Sequence, residues 1–348
     1  MSAAGEVTVG ILANPASGRD IRRLVAQASV FPIAEKCSMI TRLLVSLGAT
    51  GVGRVLMMPD GDGIAARVRR AVDFRRPGDG VWPAVEFLDM EMTSQAIDTG
   101  VAVEKMVARG ARAIVVLGGD GTHRVVAKAC GDVPITPLST GTNNVFPAIR
   151  EATIAGLATG LIAVGALSTE EVASRAKALR IDVNGTPREI ALVDVAISSQ
   201  RWAGAKALWR SGDIEQIFVT FAEADAIGLS AIAGLVHPLA RNAVGGLRVD
   251  LAAPEDVERS VLAPIAPGLI VPVGIRAIEE FGEDEPQTVA AAEGVIALDG
   301  EREIEFTSTD RVSIHLDLNG PWTIDIASAM DRAAHGGLLS CDRREGES

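Results

Sequence analysis

Ala113-Ile114-Val115-Val116-Leu117-Gly118-Gly119-Asp120-Gly121-Thr122 is the stretch on which the fold turns. Five consecutive apolar residues read as a buried strand, and residues 125–129 beyond the turn read as a helix. A glycine-rich turn between strand and helix exposes backbone N–H groups to an anion. Three glycines permit positive φ and close approach of a phosphate. Asp120 is the one carboxylate in that turn and has no neutralising neighbour within it. An ordinary connection in which Asp120 only caps the helix would not need three glycines. The combination points to a nucleotide together with a metal or a hydroxyl.

Outward from this turn, the first half alternates. Strands are expected at 7–13, 54–58, 84–88 and 111–117, and helices at 20–27, 64–72, 94–109 and 125–129. Such alternation predicts a parallel sheet with helices on both faces and ligands at the carboxyl ends of the strands. The Ala/Val/Gly-rich segment 154–167 is too short to span a membrane and reads as a buried helix. Past residue 176 the pattern changes to short runs at 179–183, 190–198, 217–221, 247–251, 269–275, 294–298, 304–307 and 312–316. Asn184-Gly185 between two of them is a hairpin signal.

The fold class is therefore α/β plus all-β. Residues 1–175 form a Rossmann-like domain with a parallel sheet, and 176–319 a β-rich, sandwich-like domain. In 320–340 a last strand (322–326) and helix (327–334) return to the first domain.

Composition bounds the function. The 348 residues suffice for two cores, and 48% hydrophobic against 22% charged residues is a globular balance. A net charge of −12 argues against nucleic acid or an anionic membrane as partner, so a polyanionic ligand needs a local site. No basic segment leads into an apolar one near Met1, so no secretory signal is expected. Cys37, Cys130 and Cys341 are odd in number and far apart, which fits reduced thiols in a cytoplasm.

Two further loops lie at strand ends. After the first strand, Asn14-Pro15-Ala16-Ser17-Gly18-Arg19 offers donors from Ser17 and Gly18 and positive charge from Arg19, Arg22 and Arg23. Its plainer reading is a turn capped by Asn14 and Ser17. The other, Pro137-Leu138-Ser139-Thr140-Gly141-Thr142-Asn143-Asn144, carries hydroxyls and amides suited to phosphate or sugar. A doubly wound sheet brings such strand ends together. Elsewhere, Asp60-Gly61-Asp62-Gly63 lacks the later ligands of a calcium loop and reads as a turn. His123 reads as a solvent-facing histidine of the first helical turn, His237 has no second histidine at metal spacing, and Trp202 and Trp209 read as core.

Gly118 to Thr122, with Asn14-Pro15-x-Ser17-Gly18 upstream and Pro137 to Asn144 downstream, resembles the NAD kinase and diacylglycerol kinase superfamily. Within it the pattern is similar to the ATP-NAD kinase branch that includes the acetoin-catabolism X proteins. The likeness extends to Leu298-Asp299-Gly300-Glu301 and so covers nearly the whole chain.

The resemblance implies an NAD kinase-like fold with a nucleotide in the cleft between two domains. It implies an ATP- and Mg²⁺-dependent phosphotransferase, with NAD or another nucleotide-like or small metabolite as acceptor, and assembly as a homo-oligomer, a dimer or tetramer. Asp120 matches the family's aspartate that accepts the acceptor's proton or holds magnesium. Gly118, Gly119, Gly121 and Thr122 match the phosphate loop. Asn14, Ser17, Gly18 and Arg19, with Thr140, Gly141, Thr142, Asn143 and Asn144, fall on the nucleotide side. Asp299 and Glu301 match an acidic turn that approaches metal and substrate, with Asp299 a metal ligand; a solvated Asp-Gly turn is the alternative. Where typical members carry an Asn-Glu pair that grips the dinucleotide, this chain has Val193-Asp194, and a valine cannot hydrogen-bond a base or ribose. A lipid kinase and a non-catalytic nucleotide-binding accessory protein stand as alternatives.

Overall fold

The computed structural model describes residues 6–15, 17, 31–76, 78, 80–141, 143–199 and 214–340. The first half runs β1 (Thr8–Ala13), α1 (Ile33–Ala49), β2 (Arg54–Met57), α2 (Ile64–Asp73), β3 (Ala84–Phe87), α3 (Ala96–Ala108), β4 (Ala111–Gly118), α4 (Asp120–Ala129), β5 (Ile135–Ser139), α5 (Ala152–Ala163), α6 (Thr169–Val172) and β6 (Ala173–Arg175). The second half contains β7 (Ala178–Val183), β8 (Thr186–Ala191), β9 (Asp194–Ser198), β10 (Ile214–Val219), α7 (Ser230–Val236) and β11 (Gly246–Ala252). It continues with β12 (Ser260–Ala266), β13 (Leu269–Phe281), β14 (Gln287–Thr288), β15 (Gly294–Leu298), β16 (Glu301–Phe306) and β17 (Val312–Asp317). β18 (Trp322–Ile324) and α8 (Ile326–His335) complete the described elements.

The first sheet has the order β3-β2-β1-β4-β5-β18-β6. Its first five strands pair in parallel, and β18 joins β5 in parallel and β6 antiparallel. Both faces are covered, which is why β4 is an unbroken apolar run rather than an alternating one. One face packs on α1, α2, α5 and α8. The other packs on α3 and α4, and also receives Leu192, Val193 and Phe221 from the second half. The strand order reverses between β1 and β4, the topological switch point where doubly wound sheets bind ligands.

The second half is antiparallel throughout. A sheet β12-β13-β11-β10-β9-β15-β16 faces a smaller sheet β14-β17-β7-β8. Alternating residues of both, among them Ile181, Ile197, Phe218, Leu298 and Ile314, form the sandwich core. Asn184 and Gly185, at φ 56° and 75°, make the two-residue turn between β7 and β8. Both central residues need positive φ in that turn type, and Asn-Gly supplies it.

Several expectations need correction. The apolar run 190–198 is two strands in different sheets, because the chain bends at Leu192 and Val193. Helix α1, strand β12 and helix α7 were not foreseen, and the expected helix at 20–27 lies outside the described residues. The segment 154–167 does contain a buried helix, α5, whose small residues serve a close approach. A Cβ on Gly160 would fall 1.9 Å from Thr50 Oγ1, and one on Gly156 would fall 2.7 Å from Ser46 Cβ. Among the described residues no helix is long and apolar enough to cross a membrane.

Candidate functional site

Three strand ends meet at the switch point and are hydrogen-bonded to one another. Asn14, just past β1, donates its N–H to Leu117 O at 3.1 Å, and its Nδ2 donates to Thr122 Oγ1 at 2.8 Å. Ser17 Oγ donates to Asn14 O at 2.8 Å and lies 2.7 Å from Thr140 Oγ1. Thr140 N–H in turn donates to Gly118 O at 3.3 Å, and Asn144 Nδ2 to Ser139 Oγ at 2.8 Å. Ser139 Oγ donates to Gly141 O at 2.9 Å. Pro137 to Ser139 belong to β5, so the third loop starts later than expected.

None of the three glycines of the pentad adopts positive φ. Their purpose is room. A Cβ on Gly118 would lie 2.6 Å from the Thr122 side chain, and one on Gly119 would lie 2.8 Å from Asn144 Oδ1. From the second half, the Glu301 carboxylate approaches to 3.6 Å of the place where a Gly121 side chain would begin.

Asp120 is the first residue of α4 but does not cap it; Gly119 is the N-cap. Its carboxylate accepts instead from across the cleft mouth, at 2.8 Å from Phe146 N–H and 3.1 Å from Val145 N–H. Two backbone donors fix its orientation, so the carboxylate is held in place by the third loop. That loop is anchored by Arg241 of the second half, which donates to Phe146 O at 2.9 Å and Val145 O at 2.6 Å. Glu223 grips the other edge of the same guanidinium at 2.8 and 2.9 Å, and the cation lies 4.1 Å from the Phe221 ring centroid.

Asp299 and Gly300, at φ 51° and 80°, turn the chain from β15 into β16. The turn is of the Asp-Gly type, yet it is not solvated. The Asp299 side chain is fully buried and accepts from the N–H groups of Leu192 (3.1 Å) and Val193 (2.8 Å), where the chain bends between β8 and β9. Burial pushes its carboxyl up, while Arg124, 3.9 Å away, and the N–H donors pull it back. Arg124 also donates to Leu298 O at 2.7 Å, tying α4 to the second half. Held in this way, Asp299 clamps the β8–β9 bend and also lines the cleft. Val193 is buried in the first-sheet core, so its side chain does not face a ligand.

Two more corrections concern buried polar side chains. His123 is fully buried rather than solvent-facing: Phe146 covers it at 5.6 Å between ring centroids, and Nδ1 lies 2.8 Å from Gly119 O. Burial pushes its pKa down to about 4, against the pull of the Gly119 and Val116 carbonyls. Lys36 of α1, also buried, donates to the carbonyls of Asn14 (2.8 Å), Pro15 (3.2 Å) and Ser17 (2.6 Å), holding the first loop from beneath. It falls on the same helix stripe as Ile40, Leu43 and Leu47, and a lysine on an apolar stripe was the available signal.

Gly18, Arg19, Arg22, Arg23 and Thr142 lie outside the described residues, as do Cys341, Trp202 and Trp209. Asp60 caps α2 through the N–H groups of Ile64 and Ala65. His237 pairs with Glu280 at 2.6 Å. Cys37 and Cys130 are free thiols, both pushed up by burial, Cys130 to about 11.

The cleft between the halves holds about 500 Å³, counting space open to solvent. Asp120, Asn143, Val145, Asp194, Asp299 and Gly300 line it together with Ile227, Gly228, Leu229, Ile265, Ala266 and Leu269. Its polar groups are carboxylate and amide oxygens, hard donors that suit Mg²⁺. Among the described residues no three acidic, histidine or cysteine side chains are grouped so that they could hold a metal ion.

Residues 9–166 match the family model of the ATP-NAD kinase N-terminal domain, and residues 177–319 that of the Acetoin catabolism protein X C-terminal domain. Over 335 residues, 95% of this chain and 93% of the relative, the sequence is 44% identical to Acetoin catabolism protein X of Cupriavidus necator. The chain belongs to the acetoin catabolism protein X family. A solved structure from Bacillus anthracis str. Sterne, of a suggested diacylglycerol kinase, is similar at a TM-score of 0.45 and 13% identity, covering 92% of this chain and 97% of that one. Family membership accounts for the join between a kinase-type first half and a second half that carries Asp194, Asp299 and Glu301.

Proposed function

We propose that this chain is a phosphotransferase that moves the γ-phosphoryl group of ATP to a hydroxyl of a small metabolite. In this reading residues 1–175 hold the nucleotide, 176–319 hold the acceptor and the assembly contacts, and 320–340 complete the first domain. The protein works in the cytoplasm as a homo-oligomer. The observation that carries the reading is the Asp120 carboxylate, oriented by Val145 and Phe146 N–H groups at the cleft mouth of a switch point.

Phosphoryl transfer asks little covalent chemistry of a protein; it asks for aligned oxygens, neutralised charge and a proton acceptor. The acceptor oxygen bonds to the γ-phosphorus as the bond from that phosphorus to the β–γ bridging oxygen breaks. ADP departs with the electron pair, and the hydroxyl proton passes to Asp120 and then to water. The pentad N–H groups, Thr122, Asn14 and Ser17 receive the phosphates, and Thr140, Asn143 and Asn144 the nucleotide beside them. Asp120 would hold Mg²⁺, which supplies charge neutralisation on the phosphates. Asp194 and Glu301 face the acceptor.

The ATP-NAD kinase name of the first-half match keeps NAD among the acceptors to be tried. Asp120→Asn keeps the size of the side chain and removes the base. Its turnover is expected to fall by about 10²- to 10⁴-fold, with ATP still bound in a calorimeter and the far-UV spectrum unchanged. Turnover equal to the parent's would remove Asp120 from this role, and ATP binding without transfer to any acceptor would favour an accessory protein.

A further inference from the structure

Lys177 is a buried lysine at the place where the two halves are joined. The chain passes from β6 to β7 at residues 176–177 and returns between β17 and β18, and the two crossings are tied together. Ala176 N–H donates to Pro321 O at 2.9 Å and Arg175 Nη1 to Gly320 O at 3.1 Å. A Cβ on Gly320 would fall 2.4 Å from Ala176 O, so the crossings meet backbone to backbone. From this junction the Lys177 Nζ donates to Ala243 O at 2.8 Å and to Gly245 O at 2.9 Å. Burial pushes its pKa down to about 8, and among the described residues no carboxylate pairs with it. Near neutral pH it is still an ammonium, and its bonds to the two carbonyls are charge-assisted.

Those carbonyls lie at the end of the turn that carries Arg241. Ala243 N–H closes the turn on Ala240 O at 3.1 Å, with Arg241 and Asn242 as its central residues. The entering side is fixed by the backbone pair of Ala222 and Leu239, bonded at 2.8 and 2.9 Å. Between the turn and β11, the leaving side is gripped by Lys177.

We propose that Lys177 is a positioning residue for the Asp120 carboxylate and acts through Arg241. Lys177 sets the turn against the junction of the halves, and the turn aims the guanidinium at Val145 O and Phe146 O. Those two residues present their N–H groups to Asp120. The carboxylate of the first half is thereby registered to the crossing point of both halves. The effect on rate rests on the phosphotransferase reading; the effect on the two N–H groups does not.

Lys177→Met keeps the stem and removes the donors, and Lys177→Gln is the milder change. In the full chain, amide hydrogen exchange followed by NMR is expected to speed up about five- to tenfold at Val145 and Phe146, as in Arg241→Met. Val115 and Val116 in β4, and Ile217 and Phe218 in β10, should exchange as in the parent. With ATP, Mg²⁺ and, separately, NAD, glycerol or dispersed diacylglycerol as acceptor, kcat is expected to fall about tenfold while the ATP KM stays put. Adding Lys177→Met to Arg241→Met should lower kcat little further. Unchanged exchange at Val145 and Phe146 in both variants, or equal acceleration at every amide, would reduce Lys177 to a structural residue and overturn the proposal. Losses in kcat that multiply in full would separate Lys177 from Arg241 and overturn it as well. If the parent transfers phosphate to none of the acceptors, the phosphotransferase reading fails, and exchange at the two amides still decides the role of Lys177.

Discussion

Asp120 and His123 lie one helical turn apart, and the same short segment decides both environments. Val145 and Phe146 donate their N–H groups to the Asp120 carboxylate, while the Phe146 ring closes over His123. The aspartate was legible because its turn is local: strand, glycines, carboxylate and helix follow one another in sequence. The burial of His123 was not, because the residue that covers it arrives 23 positions later. Its pKa of about 4, against an ordinary 6.5, means that between those values the unfolded chain binds a proton that the folded chain refuses. Stability from this group is therefore complete above about pH 6.5 and is lost as pH falls toward 4, roughly 3 kcal/mol over the whole window. His123→Asn keeps a donor near the Nδ1 position and cannot titrate. Urea melts at pH 7.5 and pH 5 should show the parent losing about 2 kcal/mol more than the variant. Equal losses would mean that the histidine is charged in the folded state.

Among the elements, α1 shows most clearly what a sequence pattern hides. Its apolar stripe packs on the first sheet, and Lys36 interrupts that stripe to reach three carbonyls of the loop after β1. That loop was expected to bind through its own Asn14 and Ser17; their positions depend on a side chain from the next helix. The bend between β8 and β9 is a similar case. Residues 190–198 read as one strand because Leu192 and Val193 are as apolar as their neighbours, and the break is imposed by Asp299, more than 100 residues on, which takes their N–H groups. Lys36→Met preserves the stem and removes the donors. The three carbonyls would be left to water or to nothing, at a cost on the order of 1–3 kcal/mol in a denaturant titration. In the same variant the ATP KM should rise several-fold, because Ser17 and Asn14 lose their support beside Thr140 and Thr122. A variant with unchanged stability and unchanged KM would show that the loop holds itself.

At the scale of the whole molecule, the two halves are joined by cations of opposite elements. Arg124 reaches from α4 to Leu298 and Asp299, and Arg241 reaches from the second half to the carbonyls of Val145 and Phe146. Arg241 is 43% exposed and its partner Glu223 37%, so their ion pair should contribute little to stability, about 0–1 kcal/mol. Its consequence for Asp120 is of another size. The guanidinium fixes the carbonyls of two residues whose N–H groups orient the carboxylate, and misplacement of a reacting group by about 1 Å costs on the order of 10²-fold in rate. Arg241→Met, which retains a stem over Phe221, should therefore shift the melting temperature by only a few degrees yet lower kcat by about ten- to a hundredfold with the ATP KM unchanged. The decisive measurement is the double variant. If Arg241 acts through Asp120, adding Arg241→Met to Asp120→Asn will lower kcat little further, since residues that act as a unit are far from additive. Two losses that multiply in full would mean that Arg241 serves the cleft by some route other than the Asp120 carboxylate.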